Sequence, residues 1–259
     1  MAVCGVGDQF VTGLVEVKAM KTVTVSSFSA GVSSAVATKL AISDIDVIIY
    51  THIEDQHPDT LRFVRDCETW FGKPIEILYP EYKSVENACL MASFISGPHG
   101  AACSRLLKKR TADQWLMEQF SGVHIRHVWG FDYDEQNRRD RIISALPTQE
   151  HLFPLIDRKF RKKNAHQVLK ASGIKRPAMY DMGYSNNNCI GCVRGGKGYW
   201  NHIRVDFPEV FEARAKLERR IGASCVNGTF LDELNPNVGR HSPPIVEECG
   251  MFCEGIALR

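Results

Sequence analysis

Two hydropathy patterns take turns along the first 150 residues: short unbroken apolar runs, and longer stretches in which apolar residues recur every three or four positions. Residues 23–28 (Val-Thr-Val-Ser-Ser-Phe) mix β-branched and small side chains as strands do, and Ser29-Ala30-Gly31 separates them from a helical pattern over 32–42. Residues 47–51 (Val-Ile-Ile-Tyr-Thr) form the continuous run expected of a strand buried on both faces. Pro58 then opens a pattern through Phe71 in which Leu61, Val64 and Phe71 share a helix face. Residues 75–78 predict a third strand, 85–95 and 105–120 two helices, and 125–129 a fourth strand. This alternation predicts an α/β fold: a parallel twisted sheet with helices on both faces, Rossmann-like, with ligands at the carboxyl ends of the strands.

From Leu152 the character changes. A basic run over 158–163 precedes a predicted helix at 165–171, a Gly- and Asn-rich stretch leads into Cys189, and an amphipathic helix is predicted at 208–221. The chain therefore divides into an N-terminal extension (1–21), a nucleotide-binding α/β core (22–164) and a helical, cysteine-bearing C-terminal extension of the same domain (165–259). No internal repeat is visible.

Composition narrows the class. At 259 residues the chain can bury a substantial core, and 44% hydrophobic with 24% charged residues exclude a disordered or fibrous protein. A net charge of +2 marks no general nucleic-acid or membrane-surface binder, so any basic site is local. Basic clusters at 105–110, 138–141 and 158–163 read first as solvated helix faces. The sharper alternative brings Lys108, Arg138 and Arg161 to a ligand's phosphates, or sets the last cluster against a nucleic-acid backbone, a partner that is not favoured. Nine cysteines, an odd number without the spacing of a disulfide scaffold, point to a reducing compartment. With no export signal and no apolar run near the roughly 20 residues that span a bilayer, a cytoplasmic protein without membrane contact is expected.

Two segments carry candidate chemistry. Ser27, Phe28, Ser29, Ala30, Gly31, Ser33 and Ser34 lie between a buried strand and a helix N-terminus, where backbone N–H groups and the helix dipole favour a phosphate. An ordinary turn with serine caps explains the spacing equally well. Cys189-Ile190-Gly191-Cys192 can grip a metal ion or a cluster edge, and zinc clip, redox dithiol, cluster ligand and unligated thiols stay open on the motif alone. Cys67 and Cys89 sit in helical patterns and read as core residues, and His124 and His127 as satisfied structural histidines.

Ser29-Ala30-Gly31-Val32-Ser33-Ser34 resembles the PP-loop, Ser-Gly-Gly-x-Asp-Ser, of the adenine nucleotide alpha-hydrolase superfamily, and within it phosphoadenosine phosphosulfate reductase and its phage relatives. Ala30 replaces a glycine and Ser33 the acidic residue, a position that sulfonucleotide reductases also leave without Asp. The likeness continues in order. Thr51-His52-Ile53-Glu54 with His57-Pro58-Asp59-Thr60 resembles the family's Thr-Gly-x-Glu and Pro-Glu-Thr stretch near the nucleotide. Gly130-Phe131-Asp132 with Glu135 and Arg138 resembles its Gly-x-Arg…Glu-Ser…Arg stretch, Phe153–Asp157 its Pro-Leu-Ile segment, and Tyr180–Tyr184 its Tyr-Asp-x-Gly-Tyr.

The resemblance implies an adenine nucleotide, ATP or a sulfonucleotide, held by the loop with Thr51, Glu54, Lys108, Gly130 and Arg138. Cys103-Ser104-Arg105-Leu106-Leu107-Lys108 resembles the Cys-Cys-x-x-x-Lys stretch that, with a later Cys-x-x-Cys, holds a four-iron cluster in adenylylsulfate reductases. It implies a 4Fe–4S cluster on Cys103, Cys189 and Cys192, with Cys253 as the fourth ligand, or Cys249 where that thiol is a ligand and not a nucleophile, and zinc as the alternative metal. Glu248-Cys249-Gly250 resembles the Glu-Cys-Gly-Leu-His tail whose cysteine attacks the sulfate sulfur, which makes Cys249 the implied nucleophile and a thioredoxin-like or other thiol the reductant. A homodimer is a further expectation. Two alternatives accompany this reading: an ATP-dependent PP-loop enzyme transferring sulfur to a nucleic acid or small molecule, and a nucleotide-binding regulator without turnover.

Overall fold

The structure is a computed structural model and describes residues 21–98, 100–226 and 228–239. Five strands form one sheet: β1 (Thr22–Ser27), β2 (Val47–Thr51), β3 (Ile75–Leu78), β6 (His124–Val128) and β7 (Glu150–Leu152). Their order is β3-β2-β1-β6-β7 and every pairing is parallel. Parallel neighbours require crossovers, and the crossovers cover both faces.

Alternation along the strands sorts the side chains into two cores. On one face Ile48 and Tyr50 of β2 and Val128 of β6 pack with α1 (Val32–Leu40), α2 (Asp59–Phe71) and α7 (Lys162–Ala171), around Phe28, Val36, Phe63 and Leu169. On the other, Val23, Val25 and Ile49 pack with Leu116 of α4 (Arg110–Gln119) and Ile142 of α5 (Gln136–Ala145), together with Trp129 and Phe131. The α/β arrangement read from the sequence is thus the observed one.

Some element bounds differ from the expectation. Helix α3 (Val85–Ala92) stops early because Ser93 turns left-handed, and a two-residue hairpin, β4 (Ser96–Gly97) with β5 (Gly100–Ala101), follows. The helix expected over 105–120 begins instead as a π-helical turn, Ser104–Lys109, in which the Arg110 N–H reaches back to the Arg105 carbonyl before α4 proper starts. Short helices α6 (Pro154–Asp157) and α8 (Ala178–Asp181) tie the later chain to the sheet.

Beyond α8, helices α9 (Lys197–Asp206) and α10 (Pro208–Ile221) pack on each other around Trp200, Ile203 and Phe211. Glu218, fully buried, accepts from the Cys225 and Leu231 N–H groups and so ties the chain after α10 back onto that helix. Leu217 and Val193 join Cys89, Ala102 and Leu107 in a third cluster, which locks this part of the chain to α3 and the π turn. Among the described residues no helix is long and apolar enough to cross a membrane.

Candidate active site

Strands β1 and β6 are neighbours, yet the helix after β1 packs on one face and the helix after β6 on the other. Such a reversal opens a crevice at the carboxyl ends of the two strands, where α/β sheets bind ligands. The serine-rich loop sits in that crevice. Its floor is Phe28, whose ring lies in the core edge-on to Phe71 at 5.6 Å and whose N–H donates to the Ile49 carbonyl at 2.9 Å. The Phe28 ring therefore builds the base of the loop.

Above this floor the chain doubles back through Ala30, which holds φ +58°, a left-handed conformation unusual for a residue with a Cβ. The Ser29 N–H donates to Ser34 Oγ at 3.0 Å, closing the loop on itself. Gly31 is extended, accepts from the Ala35 N–H at 3.0 Å and launches α1, whose first turn carries buried Ser33 and Ser34 and presents the positive end of the helix dipole to the crevice. Two residues from far along the chain hold the loop. The Asn187 Nδ2 donates to the Ala30 carbonyl at 2.9 Å, and the Val32 N–H donates to the Tyr180 hydroxyl at 3.2 Å. Across the crevice Gly130 is pressed on the same turn: a Cβ there would lie 2.6 Å from Ser34 Cα.

At the end of β2, Thr51 is half-buried and Glu54 exposed. The loop between them is shaped by Gln56, whose Oε1 accepts from the Tyr50 hydroxyl at 2.6 Å and from the Ile53 N–H at 3.0 Å. Burial raises the Tyr50 pKa against the pull of the Lys108 ammonium, with Cys189 adding to the rise. Lys108 is buried inside the π turn, whose extra residue per turn is frequently a mark of functional segments.

After β6, Asp132 does not stand in for a basic ligand-binding residue. It caps the next turn, accepting from the Asp134 N–H at 2.9 Å while Glu135 Oε2 accepts from the Asp132 N–H at 3.0 Å. Arg138 is 5% exposed, paired with Glu135 and stacked 4.3 Å over Phe131, so its charge is already balanced within the fold. Arg161 is exposed, 3.6 Å from Asp134. His127 also departs from expectation: its Nδ1 is buried without a hydrogen bond, and burial, aided by His151, pushes its pKa down to about 4.

Cys189 and Cys192 are buried in a turn held from three sides. The Ile190 N–H donates to the Asp55 carbonyl at 2.8 Å, Arg214 Nε donates to the Gly191 carbonyl at 3.3 Å, and the Tyr199 hydroxyl accepts from the Cys192 N–H at 2.8 Å while donating to the Cys189 carbonyl at 3.3 Å. Arg214, buried, forms an ion pair with half-buried Asp55 beside it. Cys103 is half-buried beside the π turn, and Ser104, at the position of a second family cysteine, has its Oγ buried without a hydrogen bond. Among the described residues no three His, Cys, Asp or Glu side chains are grouped as metal donors, so Cys103, Cys189 and Cys192 do not present a ready three-thiolate site. Cys249 and Cys253 lie outside the described residues. Cys67 and Cys89 are fully buried core residues, as expected.

The sequence reading did not single out Asn187, Asp55 or Arg214. Only the run Asn186-Asn187-Asn188, an unusual concentration of side-chain amides, offered a signal. Beside that run a cavity of about 500 Å³ is lined by Tyr184, Asn186, Asn188, Cys189, His202 and Asp206.

Among known proteins, no curated one matches the chain. A crystal structure of phosphoadenylyl-sulfate reductase from Candida auris, in complex with phosphate, is similar at 14% identity and a TM-score of 0.42, over 65% of this chain and 81% of that one. The family model of the phosphoadenosine phosphosulfate reductase domain matches residues 23–197, which takes in the loop, the crevice and both cysteines of the turn. This chain belongs to the phosphoadenosine phosphosulfate reductase domain family.

Proposed function

We propose that the protein binds an adenine nucleotide with its phosphates against the loop 27–34 and reduces a sulfonucleotide to sulfite. The observation that carries the reading is the position of that loop: the first turn of α1 lies at the β1/β6 crevice, and Gly130 leaves no room for a side chain against Ser34. Backbone N–H groups at a helix N-terminus suit a phosphate or sulfate ester, and Lys108 is the lysine that the family resemblance assigns to the nucleotide.

The chemistry rests on the thiol assigned by resemblance. The Cys249 thiolate attacks the sulfur of the sulfonucleotide, an S–S bond forms, and the S–O bond to the phosphate breaks with the nucleotide leaving as its phosphate. An external thiol then attacks Cys249 Sγ, releases sulfite and leaves a mixed disulfide, which a second thiol of a thioredoxin-like dithiol resolves.

The test is Cys249→Ser with adenosine 3′-phosphate 5′-phosphosulfate and a dithiol reductant. The variant should bind the nucleotide in calorimetry, release no sulfite, and lack the S-sulfonated cysteine that mass spectrometry finds in the wild type. Sulfite release by the variant overturns the nucleophile. Turnover of ATP to AMP and pyrophosphate by the wild type, without sulfite release, favours the ATP-dependent alternative.

A further inference from the structure

We infer that Asn187 is a positioning residue that couples the phosphate-facing loop to the Cys189–Cys192 turn, an inference that rests on the nucleotide reading above. Asn187 is 5% exposed and stands two residues before Cys189. Its Nδ2 donates to the carbonyl of Ala30 at 2.9 Å and lies 3.2 Å from Thr60 Oγ1, while its Oδ1 lies 3.4 Å from the same hydroxyl. Ala30 and Thr60 are themselves almost fully buried, so water is a poor substitute for any of these bonds.

Ala30 is the residue that carries the left-handed strain of the loop. Such a conformation persists where surrounding contacts over-determine it, and the one side-chain hydrogen bond that the described structure gives its carbonyl comes from Asn187. On the other side of Asn187 the backbone runs without slack into a turn pinned by Asp55, Arg214 and Tyr199. A phosphate that pulls on the loop therefore shifts the Asn187 amide, and with it the turn holding both thiols. Thr60, at the start of α2, is the fixed point against which the amide is braced.

Coupling of this kind is reciprocal and measurable without turnover. Cys189 and Cys192 are only 5% and 6% exposed, so their alkylation proceeds through local opening of the turn and its rate reports that opening. Adenosine 3′,5′-bisphosphate should slow iodoacetamide modification of both cysteines in the wild type by about 5-fold or more, read by peptide mass spectrometry, a typical size for coupling between sites. Asn187→Asp keeps the shape and the acceptor for Thr60 but cannot donate to Ala30, and should bring the ratio of rates with and without nucleotide close to one at saturating nucleotide. Asn187→Ala should do the same.

A wild-type-like ratio in both variants overturns the coupling. So does a wild type that binds the nucleotide in calorimetry but alkylates at the same rate with and without it, a result that leaves the nucleotide reading intact. Failure of the wild type to bind overturns both. Should the variants not fold, hydrogen exchange of the wild type decides: nucleotide should protect the amides of 186–192, and no change in them refutes the link.

Discussion

Gly130→Ala puts the crevice under the most direct stress. The new Cβ would lie 2.6 Å from Ser34 Cα, 2.9 Å from its Cβ and 3.0 Å from its N, all on the first turn of α1. Carbon atoms pack comfortably at about 3.5–4.0 Å, so β6 and α1 must part by roughly 1 Å. Gly130 is not among the residues of positive φ, which makes the penalty steric. Over-packing of this size costs about 1–3 kcal/mol of stability, and a displacement near 1 Å at a binding loop can cost about 100-fold in turnover. Gly122→Ala is the matched control: it holds φ +73° with nothing within 4 Å of the added methyl, so it should lose about 1 kcal/mol through backbone strain and leave the ligand untouched. Urea unfolding and calorimetric titration of adenosine 3′,5′-bisphosphate on both variants separate the two effects. If Gly130→Ala binds the nucleotide as tightly as Gly122→Ala does, the crevice between β1 and β6 is not where the phosphates go.

Two further outcomes concern buried charge. Arg214→Ala leaves half-buried Asp55, among the described residues, with only the Val85 N–H against its charge and should cost about 3 kcal/mol in urea unfolding, whereas Asp55→Asn with Arg214→Met, which removes both charges, should recover part of that loss. For His127 the sign comes from its depressed pKa. The unfolded chain takes up a proton below about 6.5 and the folded one only near 4, so this contribution is complete above about 6.5, declines as the pH falls between these values and is gone below about 4. The gap corresponds to about 3 kcal/mol, and His127→Leu should flatten the drop in stability between pH 7 and 4.5 by most of that amount; an unchanged drop places the titration elsewhere.

The strands that bear the site were readable because burial on both faces leaves an unmistakable apolar run, as in Val47–Thr51. The expectation missed β7, whose three residues Glu-His-Leu carry no pattern, and α9, where Gly198 and β-branched Ile203 and Val205 weaken the helical signal that Trp200 and Ile203 supply by burial. The phosphate-facing loop was visible in its small residues, whereas the forces that shape it were not. Asn187 and Ala30 are 157 positions apart, and Asp55 and Arg214 are 159 apart, so each pairing exists only once the sheet has brought the chain together. Asp132 and Arg138 occupy family positions, and the structure adds what the motif does not carry: the turn that Asp132 caps and the Glu135 pair that engages Arg138.

The π turn at Ser104–Lys109 has an evolutionary corollary. A π turn is an α turn with one residue inserted, and one residue rotates everything before it by about 100° relative to the helix after it. Cys103, Ser104 and Lys108 thus have an angular phase of their own, independent of the face that α4 turns to the sheet through Ala112 and Leu116. A descendant that lost the extra residue would keep α4 in place and swing Cys103 and Ser104 away from their present directions. Lineages can therefore re-aim this corner of the site by a single-codon indel, leaving the hydrophobic seam of α4 unedited.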